Sequence, residues 1–273
     1  MTQTIIETSA AADVDVNEVA DRFFRDGIAI VTGVLSAEEC ALLREKTDEI
    51  FDEPAKKEAS RHPNELVISN PLLHDKIFAD LFTREPILSL AEAVLGRETR
   101  FCGEHVVRNP PGTAISRWHL DDCNMIDFPL PPDIPRHDAR IRLPVYWISM
   151  QIPLTDIDTI QDGPTEVVLG SHYSGRVPES QDNPHFDGEG PTPIFCKAGD
   201  MYLFNHQVWH RGCPNTSQRT RYLLQLQYAQ GGTRASRFQG LASSPELEHV
   251  LAGADERTLR VLGQTKPTYG LNP

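Results

Sequence analysis

His119 and Asp121 stand two residues apart within Arg117-Trp-His-Leu-Asp-Asp122. On an extended backbone, side chains i and i+2 project to the same face, so these two can converge on one ion while Leu120 points away. Two histidines and one carboxylate make a ligand set for Fe(II) that leaves half of an octahedron open to reactants. A histidine beside two acids on an ordinary surface has the same spelling, so a third donor has to decide. Phe204-Asn-His-Gln-Val-Trp-His-Arg211 offers two, His206 and His210. Spacing leaves both open: His210 would reach the ion from a neighbouring strand, while His206, at a strand end, could equally support a ligand from behind.

A third feature is the alternation after Arg219. Arg221, Leu223, Gln225 and Gln227 share one strand face, and Tyr222, Leu224, Leu226 and Tyr228 share the other. A polar face in so apolar a strand suggests a polar barrel interior. An arginine buried there needs an anion to offset its desolvation, and a dicarboxylate would serve; on an exposed edge strand Arg221 would simply be solvated. Trp118, Asn124, Tyr146, Trp147, Gln151, Trp209 and Gln225 are candidate substrate-pocket residues, being large or polar and adjacent to ligand positions. The aromatic ones could as well be core.

The elements that must position these residues change in kind along the chain. Residues 1–14 read as a frayed leader. Val16, Val19, Ala20 and Phe23 have helical spacing, with Gly27 placed to end the helix. Ile28 to Val31 reads as a buried strand, and Ser36 with Glu39 forms a capping box opening a second helix that Pro54 stops. Residues 55–70 read as a loop, followed by helical pieces at Leu72 to Phe82 and Ile87 to Leu95, closed by Gly96. The part from 15 to 96 is therefore expected to be mainly helical. Strands are expected at Glu104 to Arg108, Arg117 to Asp121, Leu143 to Pro153, Glu166 to Leu169, Thr192 to Cys196, Asp200 to Asn205 and Arg219 to Tyr228. Proline-rich loops at Pro129 to Pro135 and Pro178 to Pro193 are long enough to cover a pocket. Helices first and strands after, without alternation, predict one mainly β domain with flanking helices. Its core at 97–230 is an antiparallel double sheet, and 231–273 forms a C-terminal extension.

Bulk composition removes several classes. The 273 residues carry 26 basic against 39 acidic side chains, a formal charge of −13, which disfavours binding to a nucleic acid backbone. No stretch is apolar enough for a membrane span, and the N-terminus lacks a secretory pattern. Five scattered cysteines without a CxxC pair argue against a disulfide framework and fit a reducing, cytoplasmic setting. The expected partner is a small molecule.

Together these residues resemble the phytanoyl-CoA dioxygenase-like branch of the Fe(II)/2-oxoglutarate-dependent oxygenases. Phe23 to Ile50 resembles that family's opening helix-strand-helix, and Thr159 to His172 is similar to its glycine-turn stretch ending in Gly-Ser-His. Leu169 replaces the usual proline there, and Gln161-Asp162 replaces the usual acidic-Asn pair. The resemblance covers most of Val16 to Tyr228. It implies a double-stranded β-helix, the jelly roll or cupin-like barrel. His119, Asp121 and His210 fall on its metal motif, ahead of His206. Arg221, eleven residues after His210, falls on its 2-oxoglutarate arginine, ahead of Arg219. The implied activity couples O2 and 2-oxoglutarate to oxidation of an unactivated C–H bond, by hydroxylation or by desaturation, cyclisation or epimerisation, releasing succinate and CO2. Given the charge, a small metabolite or natural-product intermediate is expected rather than a polyanionic thioester. Two other readings of the same residues stand beside it. A cupin-type metal-dependent isomerase or dioxygenase would leave Arg221 without a role, and a noncatalytic jelly-roll binding protein would bind no metal.

Overall fold

A computed structural model of the protein describes residues 6–52, 66–112, 117–121, 126–231 and 247–264. Helix α1 (Val16–Asp26) begins where the Asp15 carboxylate accepts the Asn17 and Glu18 amides. It ends at Gly27, whose φ of 81° is the left-handed value a helix stop requires. Gly27 is also needed for space, since a Cβ there would collide with Val208 and His172. Helix α2 (Ala37–Asp52) opens with the expected box, Ser36 N–H donating to Glu39 and Glu39 N–H to Ser36.

Among the described residues ten strands follow the order β1 (Thr8–Ala10), β2 (Ile28–Thr32), β3 (Leu66–Ser69), β4 (Thr99–Asn109), β5 (Trp147–Pro153), β6 (Thr165–Val168), β7 (Pro191–Pro193), β8 (Met201–Asn205), β9 (His210–Gly212) and β10 (Arg221–Gln230). Seven form one sheet in the order β1-β2-β8-β5-β10-β4-β3, and three form a second in the order β7-β6-β9. Alternation sorts the larger sheet into two faces. Ala29, Val31, Met201, Leu203, Met150, Leu224 and Leu226 pack under α1, α2 and α4 (Ile87–Leu95) in the main core. Ile28, Ile30, Tyr202 and Phe204 face the smaller sheet and meet its Val167, with Ile157 and Ile194. A core of this kind between two sheets, antiparallel except for the β1–β2 pair, is the jelly-roll architecture, with helices outside.

The first third also supplies three of the seven strands, β2 where a buried strand is expected and β1 and β3 where none is. Leu66–Ser69 is a strand rather than loop because Val67 and Ile68 pair with Val107 and Val106 of β4. Thr8–Ala10 pairs in parallel with β2 instead of fraying. The piece expected as a helix from Leu72 to Phe82 breaks into a 3-10 turn (Pro71–Leu73) and the short α3 (Lys76–Ala79), because Asp75 caps a new start by accepting from the Ile77 amide. The strand expected at Arg117 to Asp121 is reduced to a single bridge, His119 to His210. Short helices α5 (Glu248–Leu251) and α6 (Glu256–Val261) follow the last strand. No helix among the described residues is long and apolar enough to cross a membrane.

Candidate metal centre and its cavity

The backbone of His119 exchanges both hydrogen bonds with His210, each at 3.0 Å, and this bridge brings the two imidazoles to 4.2 Å between ring centres. Asp121, two residues on and on the same face, donates its amide to the His206 carbonyl at 3.1 Å. The ligand atoms of His119, Asp121 and His210 lie within 4.8 Å of one another, with Asp121 Oδ1 3.5 Å from His210 Nε2. Each imidazole donates its Nδ1–H to a backbone carbonyl, His119 to Arg117 at 2.9 Å and His210 to Val208 at 2.9 Å. A carbonyl only accepts, so both rings are held in the tautomer that leaves the Nε2 lone pair for the cluster.

The electrostatics agree with a charged carboxylate between two imidazoles. Burial resists ionisation of Asp121, but the charge and hydrogen bond of His210, with His119 behind, hold its carboxyl below the usual range. Burial also works against a charged His210, yet Asp121 beside it raises that imidazole above its ordinary value. Burial, then repulsion from His210, lowers His119.

His206 lies outside the cluster. Both of its ring nitrogens are engaged, Nε2 with Asp127 at 2.5 Å and Nδ1 with the Trp147 carbonyl at 3.1 Å, and its ring stacks on Trp147. Its carbonyl nonetheless supports Asp121 from behind.

A cavity of about 330 Å³ runs from this cluster along the inner face of the large sheet to Arg221. The Arg221 side chain is buried, Nη1 donates to the Gly163 carbonyl, and Nε has no hydrogen-bond partner. No acid among the described residues pairs with it. Arg219, two positions earlier, instead reaches Asp162 at 2.7 Å from a mostly exposed position. Gly163 sits at φ 72° with the Asn215 backbone 3.1 Å from any added Cβ, so only glycine brings that carbonyl so near. Beside Arg221, Tyr202 donates to the Gln151 carbonyl oxygen at 2.8 Å and so must accept from Thr165 at 2.9 Å, leaving the Gln151 amide N–H groups as donors.

Of the pocket candidates, Gln151 and Gln225 line the cavity and are neighbours across β5 and β10. Trp118 and Trp209 do not: each is one residue from a histidine of the cluster, so its side chain turns to the other face and packs with Leu120 and Val168. Trp147 packs on Cys102 and Ala229, and Tyr146 lies at the surface against Phe128. Asn124 and Asp122 lie outside the described residues. Sequence reasoning missed Ser149, Thr165, His105, Arg211 and Gln227 as lining residues. The parity of Gln227 with Gln225 was a usable signal. Arg211 is held by Glu166 at 2.6 Å over the Trp118 ring, a pairing no local pattern announces.

Comparisons with known proteins bear on this geometry. The family model described as phytanoyl-CoA dioxygenase (PhyH) matches residues 23–223. The chain is 24% identical over 288 residues to the iron/alpha-ketoglutarate-dependent dioxygenase ausU of Aspergillus calidoustus, covering 96% of this chain and 88% of that one. Among solved structures, HygX from Streptomyces hygroscopicus with nickel and 2-oxoglutarate bound superposes with a TM-score of 0.62 at 17% identity, covering 82% of this chain and 93% of that one. The epimerase SnoN with Fe3+, alpha ketoglutarate and nogalamycin RO gives a TM-score of 0.57 at 21% identity, over 78% of this chain and 83% of that one.

Proposed function

This chain belongs to the phytanoyl-CoA dioxygenase family and is an iron- and 2-oxoglutarate-dependent dioxygenase; from that premise we propose that His119, Asp121 and His210 are its iron ligands and that Arg221 binds the distal carboxylate of 2-oxoglutarate. The observation that carries this reading is a single cavity with a two-nitrogen, one-oxygen donor set at one place and a buried guanidinium, lacking a partner on Nε, at another. Each half fits its group on its own chemistry. Two imidazoles locked in the Nδ1–H tautomer and an ionised carboxylate are donors for Fe(II). A buried guanidinium that faces no acid among the described residues is matched by a carboxylate, which a planar fork holds with parallel bonds. The iron with 2-oxoglutarate and O2 supplies the oxidation of a C–H bond, giving succinate and CO2. The chain's own residues orient and select: Arg221 fixes the cosubstrate's register along the cavity, with Gln151 N–H groups as further donors.

For the primary substrate, the wall is informative. Across β4, β10 and β5, His105, Gln225 and Gln151 stand in one row, with Gln227 and Ser149 in the next. The three glutamines and Ser149 are neutral hydrogen-bonding groups, and Gln227 Oε1 is buried without a partner. We assign a neutral, oxygen-rich small molecule, a natural-product intermediate rather than an acyl-CoA. The net charge of −13 adds no attraction for a polyanion. HygX has been solved with hygromycin B bound and SnoN with nogalamycin RO, both small molecules.

The test is succinate formation from 2-oxoglutarate by Fe(II)-loaded protein, alone and with a panel of polyhydroxylated compounds and acyl-CoA thioesters. The expected result is slow Fe(II)-dependent turnover alone, accelerated by members of the first group. Acceleration by the thioesters alone would overturn the substrate class.

A further inference from the structure

The segment that carries His119 and Asp121 is bonded through its backbone to His210 and His206 on one side. In antiparallel pairing the N–H and C=O of one residue point to the same side and those of the next residue to the other. His119 spends both groups on His210, so those of Trp118 point away from β9, to an edge that no strand covers among the described residues.

Gln181, 63 residues away, covers that edge with its side chain. Its Oε1 accepts the Trp118 N–H at 2.9 Å and its Nε2 donates to the Trp118 carbonyl at 3.0 Å. The amide thus reproduces both bonds that one residue of a neighbouring strand would make. Its own loop is shaped by the Ser180 hydroxyl, which accepts the amides of Asp182 and Asn183. We propose that Gln181 is a positioning residue for the metal centre, a one-residue surrogate strand that fixes the register of His119 and Asp121 against His210. The proposal rests on the ligand assignment above.

Packing and hydrogen bonding divide the work. The Trp118 indole, 1% exposed, is locked in its cluster beneath Arg211 and resists rotation of the segment. Sliding along the segment's own axis is resisted by directional bonds, and on this edge Gln181 supplies the pair. Only an amide of this length both accepts and donates here. Glutamate accepts from the N–H but cannot donate when ionised, and methionine fills the volume with neither bond.

The experiment is Co(II) and Fe(II) titration of the full chain, anaerobically, with the visible spectrum of bound Co(II) and of the Fe(II)·2-oxoglutarate chelate recorded for wild type, Gln181→Glu, Gln181→Met and His119→Ala. The expected result is a roughly ten- to hundredfold loss of metal affinity in Gln181→Met, a smaller loss in Gln181→Glu, and a displaced Co(II) band in both. Metal affinity within twofold of wild type and an unmoved band in both Gln181 variants would overturn the proposal. So would equal losses in the two variants that track a common fall in thermal stability. His119→Ala separates this from the ligand assignment: full Co(II) affinity there removes the assignment itself, whereas its loss beside undisturbed Gln181 variants removes only the role of Gln181.

Discussion

The two ends of the cavity are built differently. Arg221 stands at the start of β10, which is hydrogen-bonded to β4 along most of its length and to β5 from Leu223 to Ala229, in the middle of a seven-stranded sheet. His119 and His210 meet through one isolated bridge, at the margin of a sheet whose strands run three or four residues. Where the ladder is continuous, the position of a side chain follows from register. Where it is not, single bonds from distant residues take over: the Gln181 side chain on the Trp118 edge, the Asp127 side chain on His206, and the His206 backbone carbonyl under Asp121. Each such bond contributes only about 1 kcal/mol net. The His119–Asp121–His210 end, the proposed metal site, should therefore be easier to displace by single substitutions elsewhere than the Arg221 end, the proposed cosubstrate site.

The sharpest way to break that contrast is to remove a ligand. His210→Ala or His119→Ala should abolish turnover and lower Fe(II) affinity by orders of magnitude, because two donors hold a labile divalent ion poorly. Thermal unfolding should shift little in the metal-free state, since neither imidazole belongs to the main core. Calorimetry with Co(II) and a melting curve read both quantities. Retained activity in His210→Ala would return the ligand role to His206.

Arg221→Leu probes the other end and should separate binding from stability. In the complex, losing one member of a buried ion pair costs about 3–5 kcal/mol, two to nearly four decades in 2-oxoglutarate affinity, with metal affinity unchanged. The apo-protein should be no less stable, because the buried guanidinium satisfies Nη1 on Gly163 but leaves Nε unpartnered. Apparent 2-oxoglutarate affinity equal to wild type would favour a metal enzyme that does not use that cosubstrate.

The same contrast explains what could be read in the chain. Periodicity and capping located α1, α2 and the long strands because those signals are local: Asp15, Gly27, Ser36 and Glu39 act within one helical turn. Parity placed Arg221 and Gln225 on one face and Arg221 apart from Tyr222. Choosing His210 over His206 was beyond spacing and needed the family resemblance. Their difference lies in partners: His206 spends both nitrogens on Asp127 and Trp147. Trp118 and Trp209 lie off the cavity for a related reason, since adjacency in sequence to a cluster histidine on an extended segment means the opposite face. Gln181 and Arg211 were silent because each is defined by a residue 45 or more positions away. Leu66–Ser69 reads as loop in the sequence because a strand of four residues carries its evidence in β4.

Even the regular sheet contains one side-chain brace, and its effect should be the smallest and the most pH-dependent. Glu104 on β4 turns away from the cavity into the main core; its carboxylate accepts the Leu72 amide at 2.6 Å, while its backbone exchanges bonds with Asn70. Burial pushes the carboxyl well above the ordinary carboxylate range, and the Leu72 bond only partly opposes this. The folded protein thus keeps a proton that the unfolded chain releases near pH 4.3. The stability this contributes is fully present below that value and is lost as pH rises toward the folded-state value, by up to about 1.4 kcal/mol per pH unit. Glu104→Gln keeps the acceptor for Leu72 and removes the titration. The second oxygen is already without a partner, so the variant's N–H groups replace one unsatisfied group by another. The two proteins should be close in stability at pH 4 to 5, with the variant progressively the more stable toward pH 8, as read by urea unfolding at each pH. Other carboxylates, such as Glu39 and Asp162, whose pairing lowers their values, contribute to both proteins alike and cancel in the difference. A constant difference across that range would show that Glu104 ionises in the folded protein as it does in the unfolded one.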